Sequence, residues 1–387
     1  AIGRNAGQYW DSLSAGVCGI RDITLFDTSS HRVKIAAQVP DEYFDQPMEG
    51  TARRLSRNDR VGLIALEEAI RTSGLEHGSL QPERISVVIG SGSGGLLSAE
   101  MFKKAALSGE TPPPSWLFPF SSSSFTDLAG RRCNSRGFRM TVSTACSSSS
   151  TAIGIAADLI RSNRADMVLT GGSESLGDTT FAGFNSLMSV DEHPCRPFDR
   201  ERKGISLGEG AAMLIVEESA RAEARGARIY GEIAGYGISG DAHHVTSPHP
   251  DARGVSCAMH AALRNAGMGI QEIDYINAHG TGTPANDLAE TMAIKNAFGA
   301  RAYDIPVSST KSMIGHCLGA AGALEAAACI LPLDRGIIPP TVHYQEKDPL
   351  CDLNYVPQPT ALPVRTILSL SLAFGGNNTA LVLRKFA

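Results

Sequence analysis

The 387-residue chain carries 35 Lys and Arg against 40 Asp and Glu, a formal net charge of -5, and 42% hydrophobic residues. That balance excludes a general nucleic-acid binder, which needs a domain-wide basic excess to release counterions from phosphates. The apolar fraction supplies a core for two packed units or one large duplicated one, and no apolar stretch is long enough to span a bilayer.

Eight cysteines, at 18, 133, 146, 195, 257, 317, 329 and 351, form no CxxC pair and no metal-ligand spacing. The expected compartment is a reducing cytoplasm. The opening Ala1-Ile2-Gly3-Arg4 lacks the apolar region of a secretory signal. With 40 glycines and only 6% aromatic residues, small side chains must do much of the packing.

Along the chain, Arg53, Arg54, Arg57 and Arg60 cluster around the start of a helix expected from Asp59 to Ser73. A strand at Val87-Val88-Ile89 runs into Gly90-Ser91-Gly92-Ser93-Gly94. The stretch Ser108 to Ser124, with three consecutive prolines, reads as an irregular insertion of the kind that shapes pockets. A strand from Phe138 to Ser143 leads through Thr144-Ala145-Cys146 into four serines and a small-residue helix, Thr151 to Ile160. Cys146 thus sits at a helix N-terminus, where unpaired N–H groups and the helix dipole favour a thiolate. The alternative is a buried structural cysteine packing as a small hydrophobe.

Arg200, Arg202 and Lys203 follow Arg196-Pro197-Phe198-Asp199, and a hydrophobic strand reads at Ala212 to Val216. His243, His244 and His249 belong to a polar loop, Ser239 to Arg253, read as solvated rather than metal-binding. Helices are expected at Gly254 to Ala266 and at Asn286 to Phe298, the latter capped by Asn286 with Asp287 in its first turn. Between them, Tyr275-Ile276-Asn277 ends in the turn Ala278-His279-Gly280-Thr281-Gly282. Further on, Lys311-Ser312-Met313-Ile314-Gly315-His316 places a second histidine at a helix start, which disfavours imidazolium and leaves a neutral hydrogen-bond donor. Ala380 to Leu383 is the closing strand.

Three blocks occur twice in the same order: Val87–Gly94 with Tyr275–Gly282, Thr141–Ile160 with Pro306–Leu331, and Ala212–Val216 with Ala380–Leu383. Alternating strands and helices imply an α/β chain of two stacked halves with largely parallel sheets, 1–230 and 231–387. The two Ala/Gly/Ser helices are apolar nearly all round, as helices between sheets should be. Their N-termini would meet near the middle, bringing Cys146, His279 and His316 to one cavity.

Cys146 in Thr-Ala-Cys-Ser-Ser, His279 in His-Gly-Thr-Gly-Thr, Lys311 with His316, and Phe374-Gly375-Gly376-Asn377-Asn378 follow in a fixed order. Together they resemble the β-ketoacyl-acyl carrier protein synthases, most of all the elongating type II enzymes of the thiolase superfamily. The resemblance implies a thiolase-like fold, with duplicated βαβαβαββ halves in a layered α/β/α/β/α core, and a homodimer. It implies an acyl group carried on Cys146, malonyl decarboxylation assisted by His279 and His316, and an acyl oxyanion held by the N–H groups of Cys146 and Phe374. Lys311, Glu325 and Asn378 are implied as supporting residues, and Phe374 as an aromatic gate.

By the same resemblance Thr281 and Thr283 contact the pantetheine arm, although for Thr281 a turn hydroxyl bonded to local backbone is an equal reading. Trp116 and Phe118 either fill the acyl pocket or are core residues. Arg53, Arg54, Arg57 and Arg200 fall at positions that dock an acidic carrier protein. No cofactor or metal is implied. The family's opening strand precedes the position of Ala1, and missing sequence is the expected reason. Fatty acid elongation is the main reading; alternatives are a specialised polyketide or polyene ketosynthase, suggested by Asn377 and the serine run, and a non-catalytic chain-length partner, which Cys146 argues against. A thiolase using coenzyme A would carry a second cysteine near Phe374.

Overall fold

The computed structural model describes residues 1–44, 55–74 and 80–386. Two sheets organise it. The front sheet contains β1 (Ile85–Gly90), β2 (Arg139–Val142), β3 (Met167–Glu174) and β4 (Gly210–Glu217) in the order β2-β1-β3-β4. Its first two pairings are parallel and the last is antiparallel. The rear sheet contains β5 (Glu232–Gly240), β6 (Tyr275–Asn277), β7 (Val307–Ser308), β8 (Thr366–Ala373) and β9 (Asn377–Arg384), ordered β7-β6-β8-β9-β5. Its first four strands repeat the front sheet's order and sense, so the three echoed sequence blocks occupy equivalent places.

Six helices sandwich these sheets or support the site: α1 (Arg57–Ser73), α2 (Ser148–Arg161), α3 (Asp178–Ser186), α4 (Arg253–Ala266), α5 (Pro284–Phe298) and α6 (Ala321–Arg335). Strand alternation assigns the layers. Val87, Ile89 and Leu169 pack towards Leu63 and Leu66 of α1, while Val88 and Val168 pack towards Ala152 and Ala156 of α2. Likewise Leu368, Leu370 and Val382 meet α4 and α5, whereas Ile367, Leu381 and Leu383 meet α6. Both sheets are therefore covered on both faces, which explains their continuous apolar runs.

The central layer is the pair α2 and α6. Contact is so close that a Cβ on Gly322 would fall 1.9 Å from Ser150 Oγ and 2.8 Å from the Ser150 nitrogen. Hydroxyls stitch the layer: Ser149 Oγ accepts from the Ala323 N–H at 2.9 Å, Ser150 pairs with Ser371 at 2.7 Å, and Thr151 with Thr379 at 2.9 Å. Each helix is led in by a 3-10 turn, Ala145–Ser147 or Leu318–Ala320, whose first residue has positive φ: 53° at Ala145 and 44° at Leu318.

Some elements differ from the sequence expectation. Helix α1 starts at Arg57, because Ser56 and Asp59 form a reciprocal capping box. Helix α5 has Thr283 at its N-cap position, without a side-chain capping bond, and Pro284 in its first turn, while Asn286 lies inside it, donating to Asp287 at 3.1 Å. The insertion after Ser108 contains a 3-10 helix, Pro114–Phe120. Among the described residues no helix is long and apolar enough to cross a membrane. Beside β4, at the place β5 fills in the rear sheet, lies a groove of about 1200 Å³ whose lining includes none of Cys146, His279, Lys311, His316 and Phe374.

Gly322→Ala should lower unfolding free energy by about 1–3 kcal/mol through overpacking, read as a reduced urea midpoint. Gly183→Ala on α3, where an added Cβ meets nothing within 4 Å, should leave stability unchanged or raise it by up to about 1 kcal/mol.

Candidate active site

Cys146 lies in the 3-10 turn ahead of α2, with only 7% of its surface exposed. Its serine neighbours lock that turn. Ser148 Oγ accepts from the Thr144 N–H at 2.9 Å and donates to the Ala145 carbonyl at 2.6 Å, while Ser147 Oγ donates to the Thr144 carbonyl at 2.9 Å. The turn packs against the one following His316 and against the Phe374 turn between β8 and β9.

Burial pushes the Cys146 thiol up to about 11, opposed by the Lys311 charge and by the backbone N–H groups of Phe374 and of Cys146 itself. The helix N-terminus therefore does not yield a resting thiolate, contrary to the sequence expectation. Desolvation of the charged form is the larger effect. Those same two N–H groups face the sulfur, where an acyl oxyanion would need donors.

His279 and His316 are both buried, their ring centroids 5.2 Å apart in an edge-on arrangement. Burial and the Lys311 charge hold both imidazoles well below the usual histidine range. They are neutral, as expected for His316, but desolvation rather than the helix terminus is the leading cause. The hydrogen-bond network assigns their tautomers. The Leu318 N–H donates to His316 Nδ1 at 3.0 Å, so the ring proton sits on Nε2, a buried atom with no hydrogen-bond partner among the described residues. Lys311 Nζ lies 3.2 Å from His279 Nδ1 and is ion-paired with Glu325. An ammonium only donates, so His279 also carries its proton on Nε2. Burial raises the Glu325 carboxyl, and Lys311 pulls it down.

The His279 turn is held by carboxylates that sequence reasoning did not assign. Glu290 accepts from the His279 and Gly280 N–H groups at 2.6 and 2.8 Å, and Asp287 accepts from Thr281 and Gly282 at 3.2 Å each. Burial pushes the Glu290 carboxyl up to about 8. Their spacing, eight and eleven residues after His279 on the next helix, was the available signal. Thr281 Oγ1 accepts from the Thr283 N–H at 3.3 Å and pairs with the Thr283 hydroxyl at 2.9 Å, so the local backbone bond expected for Thr281 is made.

Phe374 stacks on Phe184 of α3, centroids 5.8 Å apart, and Gly375 and Gly376 adopt φ of 82° and 75°. Only glycine takes such backbone without strain. Asn378 Nδ2 donates to Asp241 Oδ1 at 2.7 Å, the Asp241 N–H to the Gly376 carbonyl at 2.8 Å, and the Gly375 N–H to the Val245 carbonyl at 2.7 Å. The histidine loop thus braces the Phe374 turn. His243 and His244 are exposed, and no metal-holding cluster exists among the described residues.

Other expected residues lie apart. Phe118 is 67% exposed and Trp116 half-buried on the 3-10 helix, so Phe118 is not a core residue of this chain. Arg53 and Arg54 lie outside the described residues. Arg57 is not free for docking: its guanidinium binds both oxygens of buried Glu209, Asp41 Oδ1 at 2.7 Å and the Val39 carbonyl at 2.6 Å. A buried carboxylate requires such a cation. Arg202 is similarly tied to Asp348 at 2.5 Å, whereas Arg200 and Lys203 are exposed.

Alkylation of Cys146 by iodoacetamide should accelerate by about tenfold per pH unit from pH 7 to 10, since only the thiolate reacts. A plateau below pH 8, followed by intact-protein mass spectrometry, would contradict the buried-thiol description.

Residues 1–222 match the family model "Beta-ketoacyl synthase, N-terminal domain", and residues 230–345 match "Beta-ketoacyl synthase, C-terminal domain". The 3-oxoacyl-acyl-carrier-protein synthase 2 of Synechocystis sp. is 39% identical over 396 residues, covering 100% of this chain and 95% of the relative. The solved ishigamide ketosynthase/chain length factor is similar at a TM-score of 0.94 and 34% identity, covering 100% of this chain and 96% of that one. A type II PKS acyl-carrier protein in complex with its ketosynthase, bound to the hexaketide, is similar at 0.88 and 29% identity, with the same coverage. Since the matched models span both halves and the relatives align over nearly their whole lengths, the chain belongs to the beta-ketoacyl synthase family of condensing acyltransferases.

Proposed function

We propose that this enzyme extends an acyl chain on acyl carrier protein by decarboxylative condensation with malonyl-carrier protein. In the first step Cys146 sulfur attacks the thioester of the acyl carrier, and the departing pantetheine sulfur takes a proton. In the second, the malonyl thioester loses carbon dioxide and its electron pair passes into an enolate. The enolate carbon then attacks the Cys146 thioester, and the β-ketoacyl product leaves as the cysteine sulfur is released and reprotonated. No cofactor enters these steps beyond the phosphopantetheine that carries the substrates.

One observation carries the reading: His316 presents an Nε2–H with no hydrogen-bond partner among the described residues, buried beside His279. An unpaired buried donor is costly unless something else uses it. The enolate oxygen is such an acceptor, and neutral imidazoles preorganised towards it lower the barrier without moving a proton first. The N–H groups of Phe374 and Cys146 serve the other oxyanion, during acyl transfer.

Fatty acid elongation is the substrate reading we favour, given the similarity to the Synechocystis enzyme. The similarity to ketosynthases of ishigamide and hexaketide synthesis supports polyketide or polyene substrates as the second reading. The serine run does not discriminate, because Ser147 to Ser150 each has a structural bond. A second protomer, identical or a chain length factor, is proposed to cover β2, which pairs only with β1 among the described residues. Phe138, Met140, Leu117, Phe118 and Phe120 are exposed on that strand's approach and on the nearby 3-10 helix. Arg200 and Lys203 are proposed to meet the acidic carrier protein, and the site of action is proposed as the cytoplasm.

Cys146→Ala should abolish the mass gained on incubation with acyl-carrier protein while retaining carbon dioxide release from malonyl-carrier protein. His316→Ala should do the reverse, with decarboxylation down by about 100-fold or more and acylation largely kept. Persistent acylation of the alanine variant would overturn the nucleophile assignment. A ladder of acyl-carrier proteins separates fatty from polyketide substrates.

A further inference from the structure

Glu174, the last residue of β3, is fully buried and has no part in the chemistry above. Its two oxygens collect donors from both halves of the molecule. Oε2 accepts from the Gly92 N–H at 2.8 Å and the Gly319 N–H at 3.1 Å. Oε1 accepts from the Ser93 N–H at 2.8 Å and from the Ser93 hydroxyl. The approach is too close for side chains on the donors: a Cβ on Gly92 or Gly319 would stand 2.8 or 2.7 Å from Oε2.

These donors are not arbitrary. Gly92 and Ser93 lie in the turn after β1, the front-half counterpart of the His279 turn after β6, where Glu290 accepts two consecutive N–H groups in the same way. Gly319 is the third residue after His316, and the N–H just before it, on Leu318, is the one that fixes the His316 tautomer. Leu318 itself holds a left-handed φ of 44°, a conformation that persists only where neighbours enforce it.

We infer that Glu174 is a positioning residue for His316: by clamping the Gly319 N–H to the front-half turn at Gly92 and Ser93, it fixes the Leu318 turn and keeps the His316 Nε2–H aimed at the malonyl thioester beside Cys146. A carboxylate suits the task because every partner donates to it, whereas an amide would turn a donor towards two of them. The inference rests on the proposed role of His316 in decarboxylation.

Glu174→Gln in the full chain is the direct test, measured beside His316→Ala. The glutamine variant should lose about tenfold or more in kcat for malonyl-carrier protein decarboxylation, since misplacement by about 1 Å has that scale of effect. Its KM and the rate of Cys146 alkylation should stay within about twofold. Nitrogen-15 spectra of the imidazoles should show His316 leaving the pure Nε2–H tautomer while His279 keeps it. Ser93→Ala, which removes one bond to Glu174, should fall in the same direction by a smaller factor, and it decides the matter if the glutamine variant does not fold. Unchanged decarboxylation and an unchanged His316 spectrum in the variant that folds would overturn the positioning role, as would an equal loss of Cys146 alkylation. Retained decarboxylation in His316→Ala would instead overturn the functional reading on which the inference stands.

Discussion

The near-contact of two small-residue helices, Gly322 of α6 against Ser150 of α2, is the constraint from which the rest of the molecule follows. With no room for a larger side chain, the two sheets close on a single shared layer, and the N-terminal turns of both helices arrive at the same place. Each turn is tightened by a left-handed residue, Ala145 or Leu318, a conformation that costs an L-residue roughly 1–2 kcal/mol. That strain is held by hydroxyls and buried carboxylates rather than relieved. Cys146 and His316 therefore approach from opposite halves, on rigid supports.

The site so formed is buried, and its electrostatics follow from that. Both imidazoles are neutral and the thiol is protonated, since burial disfavours every charged form. Lys311 is ion-paired with Glu325, and its Nζ lies against His279 Nδ1 and orients that ring. A site of neutral donors around one compensated cation can receive negative charge on a substrate oxygen without reorganising. The same burial disfavours the cysteine thiolate, so the proposed acyl transfer couples proton loss to thioester attack.

Buried carboxylates recur as fasteners of backbone. Glu290 and Asp287 hold the His279 turn, Glu174 joins the Gly92 and Gly319 turns, and Glu209 binds Arg57 along with the N–H groups of Val39 and Leu176. Each sits where loops at strand ends would otherwise bury unpaired N–H groups. The active-site loops need this because their glycines, chosen for close approach and positive φ, supply no side-chain packing of their own.

The sequence by itself determined the duplicated α/β architecture and the two sandwiched helices, because these rest on periodicity, while its short motifs singled out Cys146, His279, Lys311, His316 and Phe374 as candidates through their resemblance to the β-ketoacyl synthases. It also placed Asp287 in the first turn of its helix, though with Asn286 at the N-cap position that Thr283 occupies instead. Tertiary structure alone decided the protonation of Cys146, the tautomers of both histidines, the withdrawal of Arg57 from the surface, and the clamp made by Glu174. Each of these depends on partners far away in the chain, Glu174 lying 145 residues from Gly319 and Arg57 lying 152 from Glu209. Desolvation and hydrogen-bond competition are properties of the packed interior, so no local pattern of residues could announce them.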